Sequence, residues 1–155
     1  MKTPRPCLFL FLVVLCAWGC NAPQEVSVDE TAQRLKSLRG AYHAFTTENS
    51  RAPRGAAELR AFIAKKSLGN ADTLLTSPRD GQPFVVVWGF DVRRRNAGNE
   101  GGYDKMSSDK AGAIFAYERL GRDGQRYALF THGGTLLMPE DQFRQALFFG
   151  GHRPD

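Results

Sequence analysis

SVDETAQRLKSLRGAYHAFTTE, Ser27 to Glu48, carries apolar side chains at Val28, Leu35, Leu38, Tyr42 and Phe45. Steps of seven, three, four and three residues keep them on one stripe of a helix with a 3.6-residue period. Ser27 and Glu30 form an S-x-x-E capping box at the start. At ~1.5 Å per residue the stretch makes a rod of roughly 33 Å, long enough to be the spine of a small domain. The stripe, with Leu38 and Phe45 on it, is expected to pack on the strand-rich sequence that follows. Gly40 interrupts the helix at a cost of about 1 kcal/mol relative to Ala and lies nearly opposite the stripe.

Ahead of the spine the chain reads as a targeting segment. Lys2 and Arg5 form a basic n-region and Leu8 to Leu15 an apolar core, followed by Cys16-Ala17-Trp18-Gly19-Cys20. The apolar run ends at Gly19, short of the ~20 residues a membrane-spanning helix needs, so residues 1–19 are expected to be a signal peptide. Gly19 and Ala17 before Cys20 resemble the lipobox of bacterial lipoproteins, in which the cysteine becomes the lipidated N-terminus. Trp18 departs from that pattern, and Leu15 makes Cys16 the poorer candidate. The alternative is an ordinary secretory peptide cut nearby, with Cys20 incidental. All three cysteines lie in this segment, so the rest of the chain has no disulfide to use and must rely on its core. Residues 20–26 would form a tether and residues 27–155 a single domain. The formal charge is +5, or +3 without Lys2 and Arg5, too little to argue for nucleic acid.

After the spine, Pro53-Arg54-Gly55 turns the chain into a second helix, Ala56 to Lys66, with Leu59, Phe62 and Ile63 on one face. Ser67 to Leu75 has no strong period and reads as a connector. The phrase Arg79-Asp80-Gly81-Gln82 leads into Phe84 to Trp88, and the same four letters at Arg122 to Gln125 lead into Tyr127 to Phe130. Asp-Gly marks a turn and each apolar run a strand. The intervening segments do not match, so the two phrases read as convergent turn chemistry. Arg93 to Ala111 is a long Gly-, Asn- and Ser-rich loop. Ala113 to Glu118 and Thr135 to Met138 complete four strands, with His132-Gly133-Gly134 as the last turn. Pro139-Glu140-Asp141 opens a final helix with Phe143, Ala146 and Leu147 on its apolar face, ended by Gly150-Gly151. The fold class is α+β: a long N-terminal helix packed on an antiparallel meander of about four strands, with a C-terminal helix.

Three phrases carry a family resemblance: AYHAFTTENSRAPRGAAEL (Ala41 to Leu59), SPRDGQPFVVVW (Ser77 to Trp88), and the strand, turn and strand of Ala116 to Phe130. Together they resemble the globular half of the major pseudopilin of type II secretion. That resemblance implies a structural or protein-interaction role in the cell envelope or secretion, with envelope or secretion proteins as partners. The prepilin cleavage motif and the long hydrophobic helix behind it are absent, so a lipidated Cys20 would have to replace the anchor. Calcium, which the family often binds in late loops, does not carry over: Asp104 and Asp109 match no motif. No cofactor and no metal are expected.

No catalytic constellation stands out. His43, His132 and His152 have no metal-ligand spacing. Ser77, Ser107 and Ser108 lack a nucleophile elbow, and Gly98 to Gly102 does not open a helix. A hydrolase site would have to gather His132 with Asp123 and Asp109. Arg93, Arg94 and Arg95, near Trp88, Phe90 and Tyr103, are the densest charge. They would contact an anionic polymer or lipid, or else guard the uncharged strand FVVVWGF against aggregation. The expectation is a non-enzymatic, exported protein on the cell or outer membrane, held by an N-terminal lipid and facing the periplasm or exterior. Its oligomeric state is left open.

Overall fold

A computed structural model describes residues 28–89, 91 and 112–154. The order is α1 (Val28–Asn49), α2 (Ala56–Lys65), α3 (Ala71–Leu75), β1 (Val85–Val86), β2 (Ile114–Tyr117), β3 (Gln125–Phe130), β4 (Thr135–Pro139) and α4 (Glu140–Gln145), then a 3-10 turn at Phe149–Gly151. The strands form one antiparallel sheet in chain order, β1-β2-β3-β4, so the α+β meander with flanking helices stands as expected.

The stripe of α1 is buried as its spacing requires. Leu35, Leu38 and Tyr42 are fully enclosed, with Ala32, Ala41 and Phe45 beside them. Tyr42 packs edge-on to Phe115 of β2 at 4.9 Å. Phe45 meets α2, its ring 5.3 Å from that of Phe62, within the same core. Gly40 is exposed and nothing lies near the place of its missing Cβ. The Ser27 half of the capping box and the Val28 side chain lie outside the described residues; Glu30 instead accepts from Arg34 one turn on, at 2.6 Å.

Ser67 to Leu75 is more than a connector. Asn70 caps α3 by accepting from the Thr73 amide at 3.0 Å, Asp72 sits in its first turn, and Leu75 is buried. The first strand is shorter than expected. Pro83 has no N–H for a ladder and forms only an isolated bridge with Thr76, while Gly89 at φ 81° turns the chain away. Trp88 therefore lies in the turn, stacked on Tyr42 at 6.1 Å.

The sheet is covered on both faces. Tyr127 and Leu129 of β3 face α1, whereas Ala128 and Phe130 alternate to the other side. A register shift between Ile114 and Ala116 lets Phe115 and Ala116 join the α1 side while Ile114 and Tyr117 face away. The outer core is Ile114, Tyr117, Phe130, Met138, Phe143 and Phe148. The last helix is also shorter than its sequence pattern. It ends at Gln145, because Ala146 is extended (ψ 156°). Ala146 and Leu147 thus do not extend its apolar face, and Leu147 is 39% exposed. Its carbonyl accepts from the Ile114 amide at 2.7 Å, and Phe148, bridged parallel to Ile114, supplies the buried ring instead.

Candidate functional site

The most heavily built polar feature joins the two Arg-Asp-Gly-Gln phrases. Glu118, the residue after β2, has no exposed surface. One carboxylate oxygen accepts from Ser77 Oγ at 2.7 Å. The other accepts from the Arg79 guanidinium and the Tyr127 amide, both at 2.8 Å. The Arg79 side chain is itself only 6% exposed and lies over the Tyr127 ring at 5.3 Å. A buried carboxylate needs such a shell, because an unpaired charge in a low dielectric is very costly. Ser77 Oγ donates its proton to Glu118 and accepts from the Arg79 amide at 3.2 Å. With Ser77 and Glu118 both at zero exposure, this is a structural knot rather than an open nucleophile and base.

Asp80 extends the knot to the β2–β3 turn. Its Oδ1 accepts from the Gln82 amide at 2.9 Å, and its Oδ2 from the Leu120 and Gly121 amides at 3.0 and 3.1 Å. Arg79 also donates to the Arg122 carbonyl at 3.2 Å, and Arg126 to that of Arg119. The first phrase therefore grips the second. The second is a two-residue hairpin turn, with Asp123 at φ 54°, Gly124 at φ 69° and Arg122 bridged to Gln125. The first closes instead through Ser77, whose amide donates to the Gln82 carbonyl and whose carbonyl accepts from Gly81. Identical letters give two different turns.

Each described histidine has a local role or faces water. His43 is exposed on α1. His132 stacks on Phe130 at 5.5 Å and its Nδ1 accepts from the Gly112 amide at 3.3 Å. His152 Nε2 lies 2.9 Å from the Tyr117 hydroxyl. His132 and Asp123 sit beyond opposite ends of β3 and are not brought together. Among the described residues no group of His, Cys, Asp or Glu is placed to hold a metal ion, and no helix is long and apolar enough to cross a membrane.

Cys20, the Arg93, Arg94 and Arg95 run, Phe90, Tyr103, Asp104, Asp109, Ser107, Ser108 and the Gly98 to Gly102 stretch lie outside the described residues. A cleft of ≈ 600 Å³ opens between α4 and the C-terminal segment, with Phe143, Leu147 and Phe148 as apolar lining and Arg144, His152 and Arg153 around them. Nothing in the sequence pointed to it, because Arg153 and Phe143 come to line one cleft only through the course of the chain after Gln145. Glu140 beside it accepts from Arg126 at 2.6 Å and from Arg144 at 3.0 Å. Those bonds, Arg126 foremost, hold its carboxyl below the ordinary value of 4.5 against the opposing effect of burial. Glu58 is likewise lowered by its bond from Arg51, then by that from the Arg54 amide. Comparison with family models, curated proteins and solved structures returns no match.

Proposed function

We propose that this chain is a lipid-anchored, exported envelope protein whose pseudopilin-like domain acts by contact with other proteins of the envelope or secretion machinery. What supports this is the position of α1. The spine begins at Val28, eight residues after the lipobox-like Cys20, and is followed by an antiparallel meander, the order of parts in which the resemblance to a pseudopilin's globular half was read. Among the described residues, Ser77, Glu118 and Arg79 are engaged in holding that arrangement together. A secondary reading, an envelope module for an anionic polymer or lipid, draws on the Arg93 to Arg95 run.

The anchor is tested by labelling cells with an alkyne fatty acid and washing membranes at alkaline pH. Cys20→Ala should lose the label and release the protein or block its processing, whereas Cys16→Ala should do neither. Equal labelling of both variants would defeat the lipoprotein assignment. Substituting Arg93, Arg94 and Arg95 together with Gln separates the two readings: retention on heparin at low salt should not change if protein contact is the function, and should be lost if that loop is the anion site.

A further inference from the structure

Leu120, in the tip that the β2–β3 connection forms and two residues before the Arg122 to Gln125 turn, is 64% exposed, more than any other large apolar side chain among the described residues. One exposed leucine is ordinary on a protein surface. This one is held in water by its backbone. Asp80 binds the amides of Leu120 and Gly121, Arg126 binds the carbonyl of Arg119, and Arg79 binds the carbonyl of Arg122. Gly121 adopts φ 70°, with the Gln125 carbonyl where a Cβ would stand. The leucine is thus fixed outward between Arg119 and Arg122, both exposed; Arg122 has only a loose 3.6 Å pairing with Asp123.

The tip shares its end of the domain with the start of α1. Arg34, in the second turn of the helix, donates to the carbonyls of Thr73 and Thr76 at 3.2 Å. Thr76 adjoins Ser77, which binds Glu118, and the same short segment contains Asp80, which binds the tip itself. Tyr42, two turns further along α1, meets Phe115, near the beginning of β2. Moving toward the N-terminus of α1 is therefore moving toward Leu120. From Cys20 to Val28 the chain spans at most about 29 Å even when fully extended.

We propose that the Arg119 to Arg122 tip rests on the phospholipid surface to which Cys20 tethers the chain, with Leu120 at the boundary of head groups and acyl chains and Arg119 and Arg122 on lipid phosphates. The inference depends on the anchor assigned above. Guanidinium groups suit phosphate oxygens, and anionic lipid attracts cations close to the surface. A tip already fixed in shape loses little freedom on contact. Tethering makes that contact intramolecular, so an interaction too weak to hold a free protein is populated.

The test uses the full processed lipoprotein in vesicles of phosphatidylethanolamine and phosphatidylglycerol. Because the body lacks cysteine, Leu120→Cys takes a single environment-sensitive fluorophore, and the exposed Thr47→Cys, about 20 Å along α1 from Arg34, serves as a reference. Quenching by nitroxide-labelled lipid should be several-fold stronger at position 120 than at 47. It should weaken when Arg119→Gln and Arg122→Gln are added. A protein that fails to float with the vesicles overturns the anchor and the inference together. A floating protein whose two probes are quenched equally overturns the inference alone. A probe at 120 that is dry without vesicles, in a species of twice the monomer mass, would assign the tip to a second copy and overturn it as well.

Discussion

Replacing Glu118 with Ala tests whether the buried knot holds the two phrases together. The change removes the acceptor for Ser77 Oγ, for the Tyr127 amide and for the Arg79 guanidinium, and leaves that guanidinium charged at 6% exposure. Breaking one side of a buried ion pair costs about 3–5 kcal/mol, and that range applies here because the amide and hydroxyl are orphaned together with the charge. Glu118→Gln keeps the shape. Its amide oxygen can still accept from Arg79 and Tyr127 while its NH2 donates to Ser77, so the loss should fall to about 1–2 kcal/mol. Adding Arg79→Met to Glu118→Gln should recover part of that loss, since no uncompensated charge then remains. Urea denaturation followed by fluorescence of Trp88, which stacks on Tyr42, reads all three variants, with an unchanged m-value as the check on two-state behaviour. A loss below about 1 kcal/mol for Glu118→Ala, the level of an exposed pair, would refute the reasoning.

Two further measurements follow from the same structure. On α1, Leu38→Ala should cost about 2–5 kcal/mol because the side chain is fully enclosed, whereas Gly40→Ala on the exposed face should stabilise by about 0.4–1 kcal/mol; reversed signs would mean that the helix is packed on its other face. Glu140 binds its proton less tightly folded than unfolded, so its contribution is full above the ordinary carboxylate value of 4.5 and fades as pH falls through the lower folded value. Glu140→Gln should therefore flatten the stability profile at acid pH, and an unchanged profile would remove the Arg126 pairing from the account.

The elements with a strong period or a clear turn-and-run pattern were legible in the sequence: the α1 stripe, the α2 face of Leu59, Phe62 and Ile63, and the apolar run Tyr127 to Phe130 of β3. Short elements were not. α3 depends on an Asn70 cap at its start, and a five-residue helix has too few turns to show a period. α4 looked longer than it is because Ala146 and Leu147 continue a helical spacing while the chain turns extended to pair with Ile114. The knot was invisible for a different reason. Glu118 looks like any acid at the end of a strand, and only the tertiary arrangement of Ser77, Arg79 and Tyr127 gives it a reason to be buried. The two Arg-Asp-Gly-Gln phrases were visible as turns, but a turn signal is local and does not say that one turn will grip the other.

That grip divides the molecule in an instructive way. Residues 28–89 close on themselves through α1, α2 and α3, and residues 112–154 through the hairpins of β2 to β4 and the returning C-terminal segment. Between these halves run the core that α1 shares with Phe115, Ala116, Tyr127 and Leu129, the short β1–β2 ladder, and the bonds from Ser77, Arg79 and Asp80. A loop that joins two such halves adds a closure cost that rises by about 0.6 kcal/mol for each doubling of its length. The domain is thus suited to a split-protein format: two fragments cut within residues 92–111 would recognise each other through the apolar face that α1 shares with the sheet and through the buried ion pair of Glu118, whose loss should weaken reassembly.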